Sequence, residues 1–328
     1  MRSAARQIGV FAVLLLFAPA TVAAASAPAV ARAAAAGVSG HAAAVSGSLA
    51  GVAATSARNA WAVGYAGPTA SPRTLMLRWQ GSAWKQVRGQ GLGVSGSLAG
   101  VAATSARNAW AVGHTGRAYY EGGKALILRW NGTAWAQVPC PRPGTGSTIN
   151  AVAATSSSSA WAVGSYVSKA APFGSPYIAR WNGSAWKQVP FAFGYLSGVV
   201  MVSSRGAWAV GGTGGDGLDT PLILRWNGSA WRRAHSPAVV AGGHFFGVAA
   251  TSATNAWAVG VTYGASTKVF IARWNGSAWK HVPGPGAAGS GLNGVAATSS
   301  GNAWAVGYAG TSGHPATLIL RWNGSTWK

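Results

Sequence analysis

The chain has 328 residues, 49% of them hydrophobic and 9% charged, and 25 basic against three acidic residues give it a net charge of +22. Its carboxylate side chains, Glu121, Asp216 and Asp219, leave almost no material for catalysis by paired carboxylates. Eighteen tryptophans exclude a disordered chain, which lacks aromatic groups to bury, and the lone Cys140 excludes an internal disulfide.

At the amino terminus Arg2 and Arg6 precede an apolar run of 11 residues, Ile8 to Ala18, and then small residues from Pro19 onward. Charged, apolar and small-residue regions in that order form the pattern of a secretory signal peptide, here residues 1–25, with cleavage after Ala25 or Ala27. The run is too short to span a bilayer, so the mature chain is expected to be secreted, extracellular and without a transmembrane segment. Loss of Arg2 and Arg6 lowers the charge by two, to +20. Residues 26–43, SAPAVARAAAAGVSGHAA, read as a flexible Ala/Ser/Gly leader.

From residue 44 to 328 one pattern is written six times and uses every tryptophan: Trp61/79/84, Trp110/130/135, Trp161/181/186, Trp208/226/231, Trp257/274/279 and Trp304/322/327. The copies are 47 to 51 residues apart, a period that marks an array of units packed on one another. Their bounds are about 44–88, 93–139, 145–190, 194–233, 242–283 and 289–328.

Each copy holds four short stretches with strand character. In copy two, Leu98-AGVAATS forms strand a, whose small residues suit a crowded centre. A turn at Ala106-Arg107-Asn108 leads to strand b, Ala109-WAVG, with Trp110 and Val112 on one face. After a variable loop, Leu126-ILRW forms strand c, with Leu128 and Trp130 on one face and Ile127 and Arg129 on the other. Asn131-Gly132 predicts a two-residue type I′ hairpin that sets Trp135 opposite Leu128 and Ala134 opposite Arg129. Strand d, as in Trp186-KQVP, ends in residues that blunt an exposed edge. Four antiparallel strands repeated six times, small residues first and charged edge last, predict an all-β, six-bladed β-propeller. The last copy stops short of the usual QVP, so closure is expected to rest on blade six packing against blade one.

These repeats resemble the secreted WAVG-type propellers of actinobacteria, within the kelch, galactose-oxidase-like and Asp-box groups. The turn Arg129-WNGTAW is similar to an Asp box with Asn131, Asn182, Asn227, Asn275 and Asn323 in place of the aspartate and Gln80 in blade one. Asp boxes are structural turns, so the resemblance carries no catalytic group. The cadence around Trp279 to Trp322 is also similar to tectonin-type lectin repeats, which bind sugars or bacterial surface glycans.

The six histidines form no ligand spacing, and the copper site of galactose-oxidase-like propellers finds no matching pattern around Cys140, so no metal and no cofactor are expected. The pairs Arg78, Arg129, Arg180, Arg225, Arg273 and Arg321, each before a tryptophan, have two readings. The favoured one is an arginine stacked on the neighbouring blade's indole and bonded to backbone carbonyls; the other is a repeated sugar or anion site.

The unusual residues fall in the b–c and d–a connections, which vary in length and share one side of the ring: Glu121, Asp216, Asp219, His114, His235, His244, His314, Tyr119, Tyr120 and Cys140. Variable loops on a rigid scaffold are where binding concentrates. The candidate contact residues are therefore His114, Arg117, Tyr119, Tyr120, Lys124, Asp216, Asp219 and His314. The positive charge predicts an anionic partner, a cell-surface polymer, glycan or extracellular protein, with nucleic acid not expected in the cell. The competing account of the charge is solubility alone. The reading is a non-enzymatic binding propeller; the alternatives are a lectin with one site per blade and a carbohydrate-active or redox enzyme.

Overall fold

A computed structural model of the protein describes residues 46–116, 122–214, 219–237, 239, 242–310 and 316–328. The signal peptide, the leader, Arg117, Tyr119, Tyr120, Glu121, Asp216 and His314 lie outside the described residues. Six antiparallel sheets follow one another along the chain, each a meander in sequence order, five of four strands and one of three. In blade two the strands are Gly96–Ser105, Asn108–Thr115, Lys124–Trp130 and Trp135–Gln137. In blade six the fourth strand shrinks to a single bridge between Trp322 and Trp327, flanked by two backbone bonds between Arg321 and Lys328 of 2.8 and 3.0 Å. The fold is a six-bladed β-propeller.

Strand a of each blade lies beside strand a of the next, so these strands line the centre. Backbones meet so closely there that a Cβ on Gly247 would come within 3.1 Å of Asn293 O and Gly294 Cα. In blade three the bulged Asn150 spans the same gap, its Nδ2 donating to Leu196 O at 2.8 Å.

The tryptophans of one copy do not form one cluster. The b-strand tryptophans of blades one to five lean forward onto the c and d tryptophans of the following blade. Trp161 lies 4.8 Å from Trp226 and 5.0 Å, nearly edge-on at 74°, from Trp231. Alternation along strand b makes this possible: Trp110 and Val112 enter the core toward blade three, while Ala109 and Ala111 enter the core toward blade one. The arginine before each c-strand tryptophan completes the junction. Arg180 Cζ lies 5.5 Å from the Trp161 ring and 5.2 Å from the Trp226 ring. Arg129 Nη2 donates to Ser157 O at 3.2 Å and Arg273 Nη2 to Ser300 O at 2.9 Å, so these arginines tie one blade to the turn of the next. That is the stacked, carbonyl-bonded arrangement favoured from the sequence.

Two expectations are corrected. The c–d hairpin is not a two-residue type I′ turn: Trp130 pairs directly with Trp135, Arg129 with Ala136 and Leu128 with Gln137. The cause is the asparagine side chain. Asn131 Oδ1 accepts from Thr133 N at 2.9 Å, Thr133 Oγ1 at 2.8 Å and Ala134 N at 2.9 Å, which organises a four-residue turn. Gly132 takes a positive φ of 105° and Asn131 does not. The same fan of three bonds recurs at Asn182, Asn227, Asn275 and Asn323.

The second correction concerns closure. Apolar clusters fill the junctions from blades one and two through to five and six, and none among the described residues joins six to one. On the facing surfaces Leu49 is 49% exposed, Trp304 44% and Ile319 62%, whereas Leu98, Trp257 and Ile271, their counterparts in other blades, are all fully buried. The Trp–Arg–Trp junction fixes the step between neighbours locally. Nothing in that local rule makes six steps a full turn.

Candidate functional site on the variable-loop face

Where the b–c and d–a connections emerge between blades four and five, the structure gathers a polar cluster around Asp219. Its carboxylate accepts from the Tyr195 hydroxyl, from Gly214 N at 3.0 Å, and faces His244 Nδ1 at 3.1 Å. Its backbone carbonyl accepts from Gly243 N at 2.7 Å. Tyr263 Oη lies 2.7 Å from the same His244 nitrogen. The cluster thus stitches the b–c connection of blade four to strand a of blade five (Gly243–Ser252).

The backbone leaves room for it at two glycines. A Cβ at Gly212, which ends strand b of blade four, would sit 2.3 Å from Asp219 Oδ1. Gly242 has φ of 83°, and a Cβ there would meet Asp219 O at 2.7 Å. Blades with Tyr65, His114, Ser165, Val261 or Tyr308 in the place of Gly212 could not hold a carboxylate in this position.

Burial alone would push the Asp219 carboxyl up. Hydrogen bonds from His244, Tyr195 and Gly214 N, with the His244 charge, outweigh it and hold the group below the ordinary carboxylate range. Burial, and then the Asp219 charge, pushes the Tyr263 phenol well above its usual value. His244 is 1% exposed, with the Phe246 ring edge-on 4.1 Å away. A substrate has no access to it, so the Asp–His pair positions loops.

Beside the cluster a groove of about 410 Å³ opens between strand c and the end of strand d of blade five, lined by Val239, Tyr263, Lys268, Phe270, His281 and Gly284 among others. Tyr263 belongs to both groove and cluster. Lys268 is exposed at the groove, and the Phe270 and His281 rings stack at 5.7 Å. Two residues before Tyr195, Phe193 is 81% exposed with φ of 57°, the one non-glycine residue with positive φ among the described residues.

Of the residues nominated from sequence, Asp219 is in this cluster. His114 and Lys124 lie together two blades away, His114 half-buried and opposite Ala125, Lys124 exposed at the start of strand c. Burial lowers the His114 pKa. His114 and His244 were assigned to connections and lie inside strands. Cys140 is half-buried and its thiol is pushed up by burial. Tyr195, His244, Tyr263, Lys268, His281 and Phe193 were missed as site residues. Departures from the repeat carried the signal: Tyr195 and His244 stand where blades one to three have Ser48, Ser97 and Thr148, and Gly212 is the sole glycine directly after the WAVG motif. Among the described residues no three His, Cys, Asp or Glu side chains gather as metal ligands, and no helix is long and apolar enough to cross a membrane.

No family profile matches the sequence, and no curated protein matches it. Solved propellers do match. YCF48 bound to D1 peptide is 15% identical, with 87% of this chain and 81% of that chain covered, at a TM-score of 0.55. A polysaccharide lyase, ulvan lyase, is 8% identical over 86% of this chain and 80% of its own, at 0.57. The six-bladed fucose-recognising lectin of Aleuria aurantia is 12% identical over 84% and 91%, at 0.51. Binding proteins and enzymes stand side by side among these neighbours, and identities this low establish the propeller fold alone.

Proposed function

We propose that this chain is a secreted, non-catalytic binding propeller that holds an anionic polymer on its variable-loop face, with the blade-five groove as the specific contact. The groove carries the reading. Lys268 supplies a cation at its edge, the half-buried Tyr263 and the exposed His281, backed by the buried Phe270, supply flat surfaces for a sugar ring, and among the described residues no carboxylate lines it. Asp219, in the neighbouring cluster, is already occupied by three donors. A chain near +20 after signal-peptide removal adds a long-range pull on any polyanion.

The groove depends on Tyr263 and His281, which stand where blade two has Gly116 and Gln137, and five of the six repeated arginines are spent in closed blade junctions. A lectin with equivalent sites on every blade is therefore the weaker reading. Short acidic and neutral oligosaccharides, titrated by calorimetry at about 50 and about 200 mM salt, separate the two. Acidic chains should bind once per protein, about tenfold or more weaker at the higher salt, because exposed charges are screened. Several equivalent, salt-independent sites for a neutral sugar would establish the lectin instead.

A further inference from the structure

In the Asp219 cluster the neighbours of one histidine nitrogen fix which way a phenol hydrogen points. His244 Nδ1 has two oxygens beside it, Asp219 Oδ2 at 3.1 Å and Tyr263 Oη at 2.7 Å. A ring nitrogen either carries a hydrogen and donates, or carries a lone pair and accepts. The carboxylate decides between them. Asp219 also accepts from the Tyr195 hydroxyl and from Gly214 N, and its donors hold it ionised, so it has lone pairs to offer and no hydrogen. A bare Nδ1 would set lone pair against lone pair at 3.1 Å on a buried ring. His244 Nδ1 therefore carries its hydrogen, in the neutral ring and the charged ring alike, and shares it between Asp219 Oδ2 and Tyr263 Oη.

That settles the role of Tyr263. Its oxygen accepts from His244, so its own hydrogen has no acceptor among the described residues. Burial, and then the Asp219 charge, keep that hydrogen on the phenol. Tyr263 lines the groove beside Thr262, whose strand partner is Lys268. A hydroxyl donor and a cation thus stand at adjoining positions of one groove. Tyr263 occupies the place of Gly67, Gly116, Val167, Gly214 and Gly310 in the other blades, none of which has a side-chain donor.

We propose that Tyr263 is a specificity-determining residue of the groove, its hydroxyl donating to a sugar-borne oxyanion, a carboxylate or a sulfate ester, whose charge Lys268 neutralises. This rests on the reading of the groove as a polyanion site and names the group it selects. Asp219 and His244 are positioning residues: they do not meet the ligand, and the Asp219 charge directs the His244 hydrogen and so the phenol. An acceptor-only group with negative charge satisfies both the hydroxyl and the ammonium. A neutral sugar hydroxyl takes the phenol hydrogen and leaves Lys268 without a counter-charge.

The test uses the full chain and two probes at one fixed ionic strength, a tetragalacturonate and a sulfated carrageenan oligosaccharide, which separate carboxylate from sulfate. Tyr263→Phe keeps the ring and removes the donor. It should weaken the acidic probe that the parent binds by about tenfold. Lys268→Gln should weaken the same probe. Because both side chains hold one oxyanion, the double variant should fall short of the product of the two single losses by about threefold or more. Losses that simply multiply would mean that Tyr263 only shapes the groove, and no loss for Tyr263→Phe would mean that its hydrogen points elsewhere. Either result overturns the proposal while the polyanion reading stands. Binding of neither probe by the parent would overturn that reading and the proposal with it. The hydrogen is also read without ligand: heteronuclear NMR of the parent should show His244 Nδ1 with a directly bonded hydrogen, and a bare Nδ1 overturns the proposal.

Discussion

Trp161→Ala is expected to cost about 3–5 kcal/mol, while the same truncation at Trp304 costs under about 1 kcal/mol. The two residues hold the same place in the repeat. Trp161 is fully buried, edge-on to Trp231 and under the Arg180 guanidinium, so its loss leaves a cavity at a closed junction and strips one face from the arginine. Trp304 is 44% exposed at the seam and touches no blade beyond its own. Urea unfolding of the two variants measures the difference. Equal losses would show that blade six is packed as tightly as the inner blades, and the open seam would then be wrong.

Asp219→Ala is expected to destabilise the protein by about 1–3 kcal/mol at neutral pH, because Tyr195 and the buried His244 lose a part-buried acceptor together. The loss should depend on pH in a definite direction. The folded-state pKa of Asp219 lies below its unfolded value, near 4. Its contribution is therefore complete above the unfolded value and disappears as pH falls through the folded one. The gap between parent and variant should be full at pH 7 and narrow on acidification below about pH 4. A gap that stays constant across that range would show that the carboxylate charge contributes nothing.

How much of this was legible in the sequence follows from what each residue does. The tryptophan triplets announced blades because an indole every 47 to 51 residues has one economical use, filling the wedge between repeated sheets. Arg129 and its counterparts were readable as junction residues for the same reason. The c–d turn was misread because Asn-Gly was weighed by backbone preference, whereas Asn131 acts through three side-chain bonds. Closure was misread because a local repeat rule does not count its own steps. The site was partly hidden: Asp219 stood out by rarity, but Tyr195, His244 and Tyr263 come from three separate stretches and meet across a blade junction. Gly212, a small deviation inside a uniform motif, was the trace they left.

The reading as an anionic-polymer binder stands most directly on where the charge acts. Two double variants remove equal charge: Lys124→Gln with Lys268→Gln on the variable-loop face, and Lys85→Gln with Lys187→Gln on the outer strands, all four lysines being exposed. Binding to one acidic polysaccharide is compared at a single fixed ionic strength. The account predicts a loss of about fivefold or more for the first pair and under about twofold for the second, since charges in contact with a partner weigh more than distant screened ones. Equal losses would mean diffuse attraction to a basic surface, and would contradict it.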